Sequence, residues 1–128
     1  MKITAVRATP VNIPYTAAYV FSHGSIRSLT KTVVEVDTDE GVTGLGEIAD
    51  GDRAADAMKM GEALIGLDIR EITSAERLCL PGIKYTPWGN VVGLNRVFGG
   101  IEMALWDARG KIEGVPLHVL LGGAVRTE

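Results

Sequence analysis

The chain has 128 residues, with 13 Lys and Arg against 16 Asp and Glu, and the resulting net charge of -3 leaves no basic surface for a nucleic-acid backbone to grip. Its 46% hydrophobic and 23% charged residues exclude disordered and fibrous classes, and a chain this long can bury roughly two-thirds of its unfolded surface in one core. No apolar run approaches the roughly 20 residues of a membrane span, the start MKITAVRATPV lacks the apolar core of a signal peptide, and the single Cys79 has no partner for a disulfide, so the cytoplasm is the expected location.

Residues 2–13 place Ile3, Ala5, Val11 and Ile13 on odd positions, a period near 2 that predicts a strand with these four on its apolar face. Pro10 marks an edge or a bulge. Residues 30–37 (TKTVVEVD) are rich in β-branched types, and Asp39-Glu40-Gly41 separates them from a short run at 42–48, which reads as a hairpin. The first three elements are therefore expected to form an antiparallel meander. Between the first two lies YTAAYVFSHGSIRSL, a stretch without clean periodicity that reads as a long loop, and loops of that length in compact domains are usually functional or disordered. Tyr19, Phe21, His23 and Arg27 mix apolar bulk with positive charge there, as a surface closing over an anionic small molecule would. The alternative is a surface loop packed by its own aromatics, with Arg27 paired to a carboxylate such as Glu47.

After Asp50-Gly51 the pattern turns helical, with Asp52 as N-cap, an apolar face drawn from Ala54, Ala55, Met58, Ala63, Leu64 and Ile65, and Gly66 as the stop. A second helix is expected over 70–80 and a connecting loop over 81–93, which contains Trp88. The strongest helix begins near Leu94, where Leu94, Val97, Phe98, Ile101, Leu105, Ala108 and Ile112 follow helical spacing. Asp107 with Lys111 and Arg109 with Glu113 are acid-before-base pairs at i,i+4 on its outer side. Gly99-Gly100 within it is explained by another backbone packing close. Gly114 ends the helix, and Pro116 opens a short one stopped by Gly122-Gly123.

Known chemical motifs are sparse. His23, His118 and Cys79 stand in unrelated segments without metal-ligand spacing, no Gly-x-Ser-x-Gly elbow is present, and Cys79 reads as a small buried thiol. Gly44-Leu45-Gly46 lacks the third glycine of a phosphate loop and runs into the charge of Glu47. His118 reads as exposed, and Trp88 and Trp106 as packing residues. From the residues alone the fold class is α+β, a three-stranded antiparallel β-meander followed by a helical bundle; no reaction follows.

The segment 100–123, GIEMALWDARGKIEGVPLHVLLGG, resembles the end of the N-terminal capping domain of the enolase superfamily, in its mandelate racemase and muconate lactonizing branch. The resemblance lies in Gly99-Gly100-Ile101-Glu102, Ala104-Leu105, Trp106-Asp107, Gly110-Lys111, Pro116-Leu117 and Leu120-Leu121-Gly122-Gly123. Upstream, 38–47 (TDEGVTGLGE) is similar to that family's hairpin ending in Gly-x-Gly-Glu. Val97 departs from the small Ala often found in the family. The resemblance implies that residues 1–128 are one capping domain whose catalytic (β/α)8 barrel lies outside this chain, the end at Glu128 falling near the barrel's first strand. It implies Mg2+ held by barrel carboxylates, with no catalytic or metal-binding residue in this chain, and removal of a proton alpha to a carboxylate. It further implies a substrate-binding role for Tyr19, Phe21, His23 and Arg27, with the loop at 48–52 beside them. The expected partners are the barrel, a small carboxylate substrate such as an acid sugar, and further copies in a homo-oligomer. Gly46-Glu47-Ile48 with 50–53, and a histidine in the first loop, resemble glucarate dehydratase and other acid-sugar dehydratases. Racemase, epimerase and cycloisomerase activities on the same scaffold are alternatives, as is a non-catalytic module that lacks the barrel.

Overall fold

The computed structural model describes residues 1–49, 51–81 and 92–127, with the backbone alone of Val92. Three strands, β1 (Ile3–Phe21), β2 (Gly24–Thr38) and β3 (Thr43–Ile48), form an antiparallel sheet in the order β1-β2-β3. Four helices follow among the described residues, α1 (Ala54–Glu62), α2 (Ile72–Cys79), α3 (Val92–Glu113) and α4 (Leu117–Leu120). This is the expected α+β meander with helices. Alternation along β2 sends Thr32, Val34, Val36 and Thr38 into the core, where α1 and α3 cover that face of the sheet. The β2–β3 turn closes where predicted: Thr38 Oγ1 donates to the Val42 carbonyl at 2.8 Å, and Gly41 takes a φ of 71° that a side chain would resist.

Three sequence expectations change. The stretch read as a loop after β1 is strand: β1 continues to Phe21, turns at Ser22-His23 and returns as β2. Aromatic and β-branched side chains favour that conformation, but its period is broken by an irregularity, because Pro14 pairs with Ser28 while Tyr19 pairs with Ile26. Four residues on β1 (15–18) lie opposite one on β2, Arg27, which erases the alternation that reveals a strand. The second change is the face of β1. A register shift between Ile3 and Ala5 reverses the parity, so Ile3 is core while Val6 and Ala8, not Ala5, Val11 and Ile13, pack against the core beyond it; Ile13 is 44% exposed.

The third concerns the helices. Helix α1 buries Ala54, Ala57, Met60 and Gly61, whereas Met58 and Ile65 stand 45% and 52% exposed. Its inner face is made of small residues because β1 lies so close that a Cβ on Gly61 would fall 2.4 Å from Val6 Cβ. Asp52 still assists the start by accepting the Ala54 amide at 3.1 Å, although Arg53 occupies the N-cap. Helix α3 buries Val97, Phe98, Ile101, Ala104, Leu105 and Ala108 as its spacing requires, but Leu94 is 49% exposed, one turn before the helix meets the sheet. Most of the loop read over 81–93, including Trp88, and Asp50 lie outside the described residues.

The contact of α3 with β3 explains Gly44, Gly46 and Gly100. A Cβ on Gly44 would lie 1.9 Å from the Ala104 carbonyl oxygen, and one on Gly46 1.9 Å from that of Gly100. Helix and strand therefore meet backbone to backbone, and Gly100 completes the contact: its Cβ would lie 2.4 Å from Ile48 Cγ1. The expectation for Gly100 holds, while Gly99 has nothing within 4 Å and owes nothing to this contact.

Candidate functional site

Because β3 pairs only with residues 32–37 of β2, the hairpin of β1 and β2 runs on alone past Thr32 and projects from the body. Its tip carries the residues singled out above. Tyr19 and Phe21, two apart and therefore on one face, have ring centroids 6.0 Å apart with their planes tilted by 43°. The His23 imidazole meets the Phe21 ring edge-on at 4.8 Å while Nδ1 lies 3.1 Å from Ser22 Oγ. The Phe21 ring also rests on its cross-strand partner Gly24, where a Cβ would stand 3.4 Å from Cε2. Tyr19 is 62% exposed and His23 is exposed, so this aromatic and imidazole patch faces solvent.

Arg27 is placed apart from the other three. It follows Ile26, the partner of Tyr19, so strand alternation directs it to the opposite face. Its expected carboxylate is occupied: Lys31 Nζ pairs with Glu47 Oε1. Arg27 is exposed and has no ion pair among the described residues.

Where β3 ends, the chain leads into α1 from the same end of the sheet. Thr32 Oγ1 donates to the Gly51 carbonyl at 2.8 Å and accepts the Arg53 amide at 2.8 Å. Arg53 Nε in turn pairs with Asp56 Oδ2 at 2.7 Å. Sequence reasoning missed Thr32; the signal was a hydroxyl in line with Val34 and Val36 on the core-facing side of β2, where a lone polar group requires partners. It also undervalued Asp107, whose Oδ2 takes the Leu45 amide as well as Lys111 Nζ.

The remaining named residues have structural surroundings. Cys79 is buried on α2 with Sγ 3.9 Å from the Met60 carbonyl, and burial pushes its thiol up to about 11. Trp106 Nε1 donates to Glu102 Oε1 at 3.1 Å, and the Arg109 guanidinium lies 5.4 Å from its ring centre in a cation–π arrangement. His118 is exposed on α4. Among the described residues no three His, Cys, Asp or Glu side chains stand close enough to hold a metal ion, so they do not fit a Mg2+ site. No helix among them is long and apolar enough to cross a membrane.

A projecting ribbon with an aromatic tip, Gly51 and Arg53 held to its base and a Gly-x-Gly strand pressed onto a helix are the features of this end of the fold. The family profile for the N-terminal domain of mandelate racemase / muconate lactonizing enzyme matches residues 3–122. The chain belongs to this family. Among curated relatives, the D-galactonate dehydratase of Ralstonia nicotianae is 37% identical over 97 residues, covering 73% of this chain and 25% of that protein. The cis-3-hydroxy-L-proline dehydratase of Roseibium aggregatum is 31% identical over 141 residues, covering 100% of this chain and 36% of the relative. The crystal structure of a dipeptide epimerase from Enterococcus faecalis, complexed with Mg and L-Leu-L-Tyr, matches with a TM-score of 0.80 at 26% identity, covering 96% of this chain and 35% of the epimerase. Relatives of this enolase-superfamily domain thus include dehydratases and an epimerase. The chain spans between 25% and 36% of the length of these two curated relatives.

Proposed function

We propose that this domain is the substrate-facing cap of a Mg2+-dependent acid-sugar dehydratase whose catalytic barrel lies outside the chain. The observation that carries the reading is the hairpin tip: Tyr19, Phe21 and His23 form a patch on one face of the ribbon, and Arg27, on the opposite face, is exposed with its expected carboxylate Glu47 taken by Lys31. A guanidinium and an imidazole suit the hydroxylated, anionic far end of an acid sugar, because charge-assisted hydrogen bonds are the strong ones. Tyr19 and Phe21 supply the wall that excludes water. The dehydratase names of the relatives favour loss of water over racemisation or cycloisomerisation.

In this reading Mg2+ is held by residues of the barrel and stabilises charge developing on the substrate carboxylate. The base that takes the alpha proton also belongs to the barrel, and the present chain binds, orients and shields. Assembly into a homo-oligomer is part of the same proposal, supported by the exposed apolar side chains of Met103, Leu117 and Leu121.

The experiment is an assay of a panel of aldonic and aldaric acids with Mg2+, reading the 2-keto-3-deoxy product. The protein that joins this domain to its barrel should dehydrate at least one of them, and the 128-residue chain none. Turnover by the chain alone, or none by the joined protein, contradicts the proposal.

A further inference from the structure

Thr32 is fully buried, at 0% exposure, and its hydroxyl is used in an unusual way. The other buried threonine of β2, Thr38, spends its hydroxyl four residues away on its own turn. Thr32 instead reaches Gly51 and Arg53, 19 and 21 residues on. One oxygen donates to the first and accepts from the second, so the backbone on both sides of Asp52 is tied to a single strand position. The residue between them, Asp52, accepts the Ala54 amide, which carries the restraint into α1.

The position matters as much as the bonds. Thr32 pairs with Ile48 at the last rung of the β2–β3 ladder, the fork where the three-stranded sheet gives way to the bare ribbon. Arg27 stands five residues beyond it, about 17 Å along the strand. A two-stranded ribbon has little stability of its own, and the segment after β3 has no strand to hold it. Both therefore take their orientation from the fork.

We propose that Thr32 is a positioning residue: its hydroxyl fixes the Gly51 and Arg53 backbone to β2, and so sets the segment after β3 in register with the hairpin that carries His23 and Arg27. This rests on the reading that both face substrate. Valine fills the same volume but would leave the Gly51 carbonyl and the Arg53 amide without their partner, whereas serine keeps the oxygen.

Amide hydrogen exchange of the 128-residue chain tests the clamp. Thr32→Val should speed exchange at Arg53 by about tenfold or more while the Leu45 amide, held by Asp107, is unchanged, and Thr32→Ser should stay within about twofold of the parent. Equal rates at Arg53 in Thr32→Val and the parent, or equal acceleration at Arg53 and Leu45, would overturn it. If the valine variant does not fold, the parent decides: the Thr32 hydroxyl proton should resist exchange with water, and a freely exchanging one removes the clamp. In the protein joined to its barrel, Thr32→Val should raise KM for the acid sugar by about tenfold with kcat within about twofold, and Thr32→Ser should restore it. An unchanged KM alongside faster Arg53 exchange overturns the positioning role. Failure of the substrate-facing reading itself shows elsewhere, as unchanged kinetics in His23→Ala and Arg27→Ala.

Discussion

Asp107 Oδ2 accepts the backbone amide of Leu45 at 2.7 Å, and the same oxygen lies 2.6 Å from Lys111 Nζ. Leu45 sits in β3, an edge strand, and an unpaired amide on such an edge is a template for another chain. Lys111 Nζ also donates to the Thr43 carbonyl at 2.9 Å, so one helical ion pair covers a donor and an acceptor of the free edge. Asp107→Ala should therefore cost about 1 to 3 kcal/mol, well above the few tenths expected of an exposed i,i+4 pair. Urea denaturation checks the cost, and a loss under about 0.5 kcal/mol would reduce Asp107 to an ordinary surface partner.

Gly46 and Gly99 should behave oppositely. Gly46→Ala places a methyl 1.9 Å from a carbonyl oxygen, while Gly99→Ala meets nothing within 4 Å. The first should cost several kcal/mol or abolish folding, as backbone must move. The second should stabilise by about 0.5 to 1 kcal/mol through helix propensity. Thermal melts of the two variants check this, and similar melting temperatures would mean that the strand does not approach the helix as described.

Within α3 the sheet-facing side should be expensive to truncate. Ile101 and Leu105 are buried at 0% and 1% exposure, so replacing either by Ala should cost roughly 2 to 5 kcal/mol. Leu94, 49% exposed, should cost less than about 1 kcal/mol by the same change. Denaturant midpoints order the three variants.

How much of this was legible depended on whether a residue's role is local. The α3 stripe from Val97 to Ala108 and the turn at Gly41 follow from spacing and turn chemistry, which act between near neighbours. The hairpin tip was identified as the place to look, but as a loop, because the Pro14–Tyr19 irregularity breaks the period that marks a strand. The inner face of α1 differs for a related reason: it includes Ala57, which is buried, and Gly61, which is pressed against Val6, and small residues carry little signal in a hydrophobicity pattern. Thr32 and Asp107 act across 21 and 62 residues, a pairing no local window contains.

Two titrations bound the stability. Burial raises Cys79 from an ordinary 9.0 to about 11, so the unfolded chain loses its thiol proton first. The stability this represents is complete below pH 9 and is lost as pH rises toward 11, at most about 3 kcal/mol by the linkage relation. Cys79→Ala should flatten that alkaline decline in denaturation series at pH 7, 9 and 11. At the other end, hydrogen bonds from the Arg70 side chain, and then from its backbone, hold the Asp68 carboxyl well below its usual 3.8. Its contribution is present above about pH 4 and fades as acid is added, so Asp68→Asn should make the acid limb shallower. Unaltered limbs in either variant would assign the pH dependence to other groups.

The central claim is that the hairpin tip reads the substrate, and the kinetics of His23→Ala and Arg27→Ala in the protein joined to its barrel test it most directly. Each variant should lower kcat/KM for the acid-sugar substrate by about tenfold or more, the loss of one charge-assisted hydrogen bond. Mg2+ affinity should stay at the parent value, because neither residue is proposed to touch the metal. Parent-like kcat/KM in both variants would contradict the account and leave the tip a surface ribbon.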